Sequence, residues 1–273
     1  MSDLLKIYTN VQAMKARISL NKINREMGTL QVRLATGRRI NSASEDPAGY
    51  HLAKTLERRR RGLEVALQNV RNAQNILDVA EGAYQNVMDI LQTLKEKVTQ
   101  AADYSLSSTQ RQAIQAQLNA LLEEIDDIVS ETKFNESNLI NGNYSGYFHT
   151  GEGSDDQMFI SLQNADSAAL GLDGISLSTQ ADASAAIASF STAIDTLASI
   201  IQDIGEYKVR LAAKEDMLEV AITNTDSVRS TIEDADFAKE QMELLKLQIL
   251  QQTAIASLTQ ANTAPQVVLN LFR

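Results

Sequence analysis

The chain has 273 residues, 44% of them apolar, with two prolines and neither cysteine nor tryptophan. That apolar share is enough for a packed core, and the missing thiols exclude disulfides, cysteine nucleophiles and thiolate metal sites. The formal net charge of −10 is unevenly placed: residues 1–61 carry 13 Lys/Arg against 5 Asp/Glu, and residues 62–273 carry 12 against 30.

The basic segment interleaves its charges with apolar side chains and offers few aromatics for stacking on bases, so nucleic acid is not the expected partner. Opposite charges on different parts of identical chains instead favour head-to-tail association and fix its register. The first residues, MSDLLKIYTNVQAMKAR, carry Asp3, Lys6, Lys15 and Arg17 with no apolar centre. No cleaved signal peptide is expected from them, and with no unbroken apolar run of about 18 residues, no membrane insertion either.

From the N-terminus, apolar residues step by three and four: Leu4, Ile7, Val11, Met14 and Ile18, then, after a shift, Leu20, Ile23, Met27, Leu30 and Leu34. This spacing predicts a helix with a coiled-coil seam. Gly37 and the cluster Asn41, Ser42, Ser44, Asp46, Pro47 and Gly49 end it, placing a first boundary near residue 42. The row Leu63, Leu67, Val70, Ala73, Leu77, Ala80, Tyr84, Val87, Leu91, Leu94 and Val98 predicts a second helix of roughly 50 Å. After a polar turn near Ser105 to Ser108, Ile114, Leu118, Leu121, Ile125 and Ile128 predict a third helix returning antiparallel to it.

Between 134 and 174 the helical period disappears. Asn141-Gly142, Gly146, Gly151 and Gly153 interrupt alternating pieces at 147–150 and 158–162, which predicts one or two short β-hairpins. Helical spacing resumes at Ile187, Phe190, Ile194, Leu197, Ile201 and Ile204 and runs through Leu211, Leu218 and Ile222. Beyond the acidic stretch from Ser230 to Phe237, Met242, Leu245 and Ile249 form one row and Leu247, Leu250, Ala254 and Leu258 another. A helix apolar on two sides needs several neighbours. Pro265 lies near its end, and Val267, Val268, Leu269, Leu271 and Phe272 keep the tail apolar.

The predicted fold is all-α dominated: a long antiparallel helical bundle with coiled-coil packing and a small β-hairpin region. Both chain ends carry apolar seams that one pairing cannot fully cover, and ordering backbone costs about 1–2 kcal/mol per residue. The expectation is that the ends are disordered in the free subunit and order on self-association. The candidate polymerisation residues are Leu4, Ile7, Val11, Met14, Ile18, Ile23, Met27, Leu30 and Leu34 at one end. At the other they are Leu245, Ile249, Leu250, Leu258, Leu269, Leu271 and Phe272.

The segment LATGRRINSASEDPAGYHLA (34–53) resembles the region after the first helix of the bacterial flagellins, where Leu-x-x-Gly-x-Arg-Ile-Asn-Ser-Ala precedes an acidic pair and Ala-Gly. IEDADFAKE, QILQQTAIASLTQANTAPQVVLNLFR, TKFNESNLINGN and FHTGEGSDDQMFISL extend the resemblance in order over nearly the whole chain. It implies an inner tube of paired terminal helices, 1–42 and 233–273, and an outer helical rod, 43–232, with a β-hairpin insertion near 134–174. The short central region implies that the variable outer domains of many relatives are absent.

The resemblance further implies a structural subunit that self-assembles into a motility filament, is secreted unfolded and functions in the extracellular flagellum. Its implied partners are copies of itself, an export chaperone, the filament cap and hook-junction proteins, with no cofactor. The hook–filament junction protein, which resembles flagellin at both ends, is the nearest alternative. A secreted membrane-active helical protein is the alternative from another class; acidic rather than Lys/Arg-rich polar faces count against it.

No catalytic constellation is found: His51 and His149 are the only histidines, and no HExxH, GxSxG or GxxxxGK motif occurs. Some flagellins carry a metalloprotease insertion, for which the central region has no room. His149 with Glu152, Asp155 and Asp156 has the composition of a cation site, but a solvated hairpin tip is the favoured reading. Ser145, Thr150 and Ser154 are read as ordinary loop hydroxyls rather than sugar acceptors.

The tetrad Arg58, Arg59, Arg60 and Arg61 has two readings, a solvated helix face or an inter-subunit charge contact with an acidic face of a neighbouring copy. Family members are sensed by an innate immune Toll-like receptor along a helix patch such as LQRVRELAVQSAN. The matching segment here is LQTLKEKVTQAAD, with Thr93 at the patch's central Arg, Lys97 at a Leu, and Glu96 and Gln100 retained; Gln117 stands where an acidic contact is expected. Loss of an Arg anchor implies weak receptor sensing.

Overall fold

The computed structural model describes residues 9–270, with side chains through residue 263. Five helices and two small antiparallel sheets follow in order: α1 (Val11–Thr36), α2 (Pro47–Ala101), α3 (Ser108–Glu131), β1 (Lys133–Phe134), β2 (Ser137–Asn138), β3 (Ser145–His149), β4 (Gln157–Ser161), α4 (Gln180–Glu233) and α5 (Phe237–Asn270). The helix-dominated class expected from the sequence is the one observed.

Short polar residues set the helix ends. The Asn10 side chain accepts from the Ala13 N–H at 2.9 Å to open α1, and Gly37 closes it in the left-handed region at φ 70°, donating to the Arg33 carbonyl at 2.8 Å. Asp46 opens α2 by accepting from the Gly49 N–H, with Pro47 as its first residue. Ser107 with Gln110 and Thr179 with Asp182 form reciprocal capping boxes at α3 and α4, and Asp236 caps α5.

α2 has 55 residues, about 80 Å at 1.5 Å per residue, against the roughly 50 Å expected from its apolar row. The additional turns, 47–62, are built from strong helix formers without a continuous apolar seam, so propensity and the Asp46-Pro47 start signal extend the helix where periodicity gave no mark.

The chain divides into two compact units, residues 1–60 with 224–273 and residues 61–223. In the first, α1 packs against α5. In the second, α2, α3, the hairpins and α4 share one core. Val70, Leu77, Tyr84, Leu91 and Val98 lie along α2 at heptad steps, each fully buried, together with Leu118 and Ile125 of α3 and Phe190, Leu197 and Leu211 of α4.

Cations fix the register of α2 on α4 within this unit. Arg71 reaches Glu215 at 2.7 Å and Glu219 at 2.8 Å, while Lys208 reaches Asp78 and Glu81, both at 2.7 Å. One helix ascends as the other descends, so the pairing is antiparallel. The Tyr84 hydroxyl donates to the Gln163 carbonyl, and burial pushes its pKa up. Asp126 of α3 accepts from both the backbone N–H and the hydroxyl of Ser167, each at 2.8 Å, tying the loop before α4 to the core.

By length and average composition alone α4 is long and apolar enough to cross a membrane, although no unbroken apolar run of about 18 residues occurs in the chain. Ser and Thr interrupt the run without lowering its average far. In the structure, the row Ala186, Phe190, Ala193, Leu197, Ile200 and Ile204 is buried in the core.

The first hairpin turns at Asn135-Glu136, both at positive φ (48° and 68°), as a two-residue turn requires. Asn141-Gly142, expected as hairpin punctuation, instead bridges to Asn164; a Cβ on Gly142 would meet the Asn164 Cβ at 2.9 Å. β3 and β4 alternate, with Met158 and Ile160 buried and the Tyr147 ring tilted at 51° against Phe159 on the outer face, centroids 5.0 Å apart. At the tip, Asp156 accepts from the Gly153 N–H at 2.9 Å and its carbonyl from the Thr150 N–H at 2.8 Å. The Asp156 carboxylate thus closes its own turn, and among the described residues no group of three His, Asp or Glu side chains is arranged to hold a metal ion.

Candidate self-association surfaces

The α1–α5 pair is built from two complementary rows. On α1, Ala13, Ala16, Leu20, Ile23, Met27, Leu30 and Leu34 are half-buried or buried; on α5, Glu240, Leu244, Leu247, Gln251, Ala254, Leu258 and Ala261 are. Both rows advance by alternating steps of three and four, the knob spacing of a coiled coil. The Asn10 amide donates to the Ala261 carbonyl and the Gln251 amide to Asn24, each at 2.7 Å, and Arg33 approaches Glu240 at 3.7 Å, so the helices run antiparallel.

A polar joint closes the lower end of this pair. The Arg39 N–H donates to the Glu233 carbonyl at 2.6 Å, and the Ala235 N–H to the Gly37 carbonyl at 2.9 Å. Glu233, only 3% exposed, is held by Arg38 at 3.1 Å and Arg229 at 2.9 Å. Arg229 also grips Asp226, and these carboxylates push its pKa up.

One seam leaves much of both helices uncovered. Of the predicted polymerisation residues, Val11, Ile23, Met27, Leu30, Leu34 and Leu258 are half-buried or buried, and the last five belong to the α1–α5 rows. Met14 and Ile18 lie on the far side of α1, and Leu245 (58% exposed), Ile249 (64%) and Leu250 on the outer side of α5, beside exposed Met242 and Ile255. Leu4, Ile7, Leu271 and Phe272 lie outside the described residues, as does the side chain of Leu269. The apolar spacing did not reveal the polar pins Asn10, Asn24, Gln251 and Glu240; only Asn10 carried a readable signal, as an N-cap.

Within α2, Arg58, Arg59 and Arg61 are exposed, whereas Arg60 is half-buried with its Nε 3.7 Å from Asp226 of the same chain. The tetrad is therefore not one uniform outward face. Thr93, Glu96 and Gln100 are exposed on α2, Lys97 is half-buried, and Gln117 is exposed on α3. Thr93 turns its hydroxyl back onto the Asp89 carbonyl at 3.0 Å.

Comparison with known proteins bears directly on these surfaces. The model of the bacterial flagellin N-terminal helical region matches residues 7–145, and that of the C-terminal helical region matches 187–272. The chain belongs to the bacterial flagellins. It is similar to flagellin FlaB1 of Treponema pallidum (31% identity, covering 97% of this chain and 98% of that protein) and to the flagellar filament core protein flaB2 of Brachyspira hyodysenteriae (30%, 98% and 99%).

Near-complete coverage of both chains means this flagellin carries no large additional domain relative to those proteins. A solved structure from Vibrio parahaemolyticus, assigned provisionally in its description to the flagellar hook-associated proteins, shares the fold at TM-score 0.60 and 16% identity, covering 70% of this chain and all of that one.

Proposed function

We propose that this flagellin is a structural subunit of a flagellar filament that assembles from copies of itself, and that its two terminal helices are the assembling elements. The supporting observation is the second apolar face of α5: Met242, Leu245 and Ile249 are exposed after α1 has covered the opposite row. Exposed apolar rows of this size on a helix already engaged on its other side belong to contacts with further chains. In this reading residues 1–42 and 233–273 build an inner tube and residues 43–232 an outer rod, with Arg58, Arg59 and Arg61 meeting acidic faces of neighbouring copies. Seeding purified protein with filament fragments should give long tubes in the electron microscope; short rods or soluble monomer at high concentration contradicts the reading.

The family is a structural one rather than an enzymatic one. Secretion through a dedicated export apparatus, and engagement of a chaperone, a cap and junction proteins, complete the proposal. The junction-protein reading has the Vibrio fold likeness behind it, but relatives named as filament proteins match this chain over nearly its full length. Innate receptor sensing is weak in this account, because Thr93 and Lys97 replace an Arg and a Leu of the sensed patch. A reporter-cell assay should need at least tenfold more of this protein than of an enteric flagellin, a factor equivalent to about 1.4 kcal/mol; equal potency would refute the assignment.

A further inference from the structure

Sulfur gives the uncovered faces of the terminal helices a chemistry that their other apolar side chains lack. The chain has seven methionines and no cysteine, so an oxidant that reacts at sulfur meets only thioethers. Among the methionines whose side chains are described, Met158 is buried and Met27 and Met88 are half-buried. Met14 (52% exposed), Met217 (53%) and Met242 (65%) are open to solvent.

These three differ in where they stand. Met14 lies one turn before Ile18 on the side of α1 that α5 leaves uncovered, and Met242 begins the row Met242, Leu245 and Ile249 on the outer side of α5. Met217 belongs to α4, in the other compact unit. Three thioethers of similar access are thus divided between two on the helices proposed to assemble and one outside them.

Oxidation changes what such a face can do. With hydrogen peroxide, a sulfur lone pair attacks one peroxide oxygen, the O–O bond breaks and an S–O bond forms. The proton on the transferred oxygen passes to the departing hydroxide, which leaves as water; sulfur is oxidised by two electrons and the peroxide reduced by two. The sulfoxide is polar, where the thioether was apolar. On a solvated face that change is cheap, but burying the S–O group against aliphatic side chains leaves an acceptor without a donor.

We infer that Met14 and Met242 are oxidation sites that control assembly. A hydroperoxide converts them in the free subunit, the sulfoxides keep that subunit out of the polymer, and burial in the filament shields them from the same reagent. The inference rests on the filament reading and adds to it a chemical state of the subunit that decides whether it can join.

The test uses wild-type subunits partially oxidised by hydrogen peroxide while dilute, then offered to filament seeds. Peptide mass measurement gives the sulfoxide at each methionine in pelleted filament and in supernatant. Sulfoxide at 14 and 242 should be depleted in the filament by about tenfold, with that at 217 equal in both. Equal partition at 14 and 242, or depletion at 217 as strong as theirs, would overturn the inference while leaving the filament reading intact. Failure of untreated protein to extend the seeds would instead defeat the filament reading and this inference with it.

Met14→Leu combined with Met242→Leu keeps both faces apolar and retains Met217. This variant should still extend seeds after a peroxide dose that raises the concentration wild type needs by about tenfold; sensitivity equal to wild type would contradict the assignment. Should the variant fail to assemble untreated, the wild-type partition decides. Intact filaments given the same dose should gain little sulfoxide at 14 and 242, and oxidation there as fast as in free subunits would count against the inference.

Discussion

Residues 63–98 of α2 and the terminal helices α1 and α5 read alike in sequence, yet their surroundings differ. Along α2 the heptad positions Val70, Leu77, Tyr84, Leu91 and Val98 are fully enclosed, with α3, α4 and the hairpins supplying the opposing side chains. Among the described residues α1 packs chiefly against α5, so one row of each is covered and Ile18, Leu245 and Ile249 stay outside. In the proposed filament, an apolar row without a partner inside the molecule is a contact with another chain, and its energetic contribution belongs to assembly rather than to the subunit.

That distinction can be broken by substitution. Leu245→Asp combined with Ile249→Asp should abolish seeded filament growth, because two charges would be buried unpaired in the polymer. The same change should leave subunit stability within about 0.5 kcal/mol per site, as exposed positions usually do. Filaments of normal length by electron microscopy would erase the difference between the two regions. Leu91→Ala should behave in the opposite sense, lowering subunit stability by about 2–5 kcal/mol in denaturant unfolding through the cavity it leaves.

A smaller effect sharpens the comparison from the electrostatic side. Hydrogen bonds from Arg71, then Gln74, hold the Glu215 carboxyl below its ordinary pKa. A carboxylate with a depressed folded pKa contributes stability that is present above its unfolded pKa and lost as pH falls through the folded value. Thermal unfolding followed from pH 7 into the acid range should therefore show a shallower loss for Glu215→Gln than for wild type. Identical slopes would mean that the Arg71 clamp adds nothing to the register of α2 on α4.

The long rods were legible because a buried row repeated over five heptads has one physical interpretation. The antiparallel bundle and the presence of hairpins followed from it. The start of α2 at Pro47 was not marked by apolar periodicity, since residues 47–62 carry helix propensity and the Asp46-Pro47 start signal without a continuous seam. Nor was the first hairpin turn legible, where Asn135 and Glu136 take positive φ without glycine while the Asn-Gly pair nearby serves a bridge. At the candidate site, the excess of apolar residues on α5 was readable. Which row faces α1 was not, because two overlapping rows carry the same spacing, and the choice is made by Asn10, Gln251 and Arg33 through pairings distant in sequence.

The most direct test of the account is amide hydrogen exchange measured on dilute subunit and on assembled filament. Residues 63–101 should be strongly protected in both, whereas α1 and α5 should exchange rapidly in the dilute subunit and become protected only in the filament. Protection of α1 and α5 in the isolated chain equal to that of α2 would contradict the central claim that neighbouring copies complete these helices.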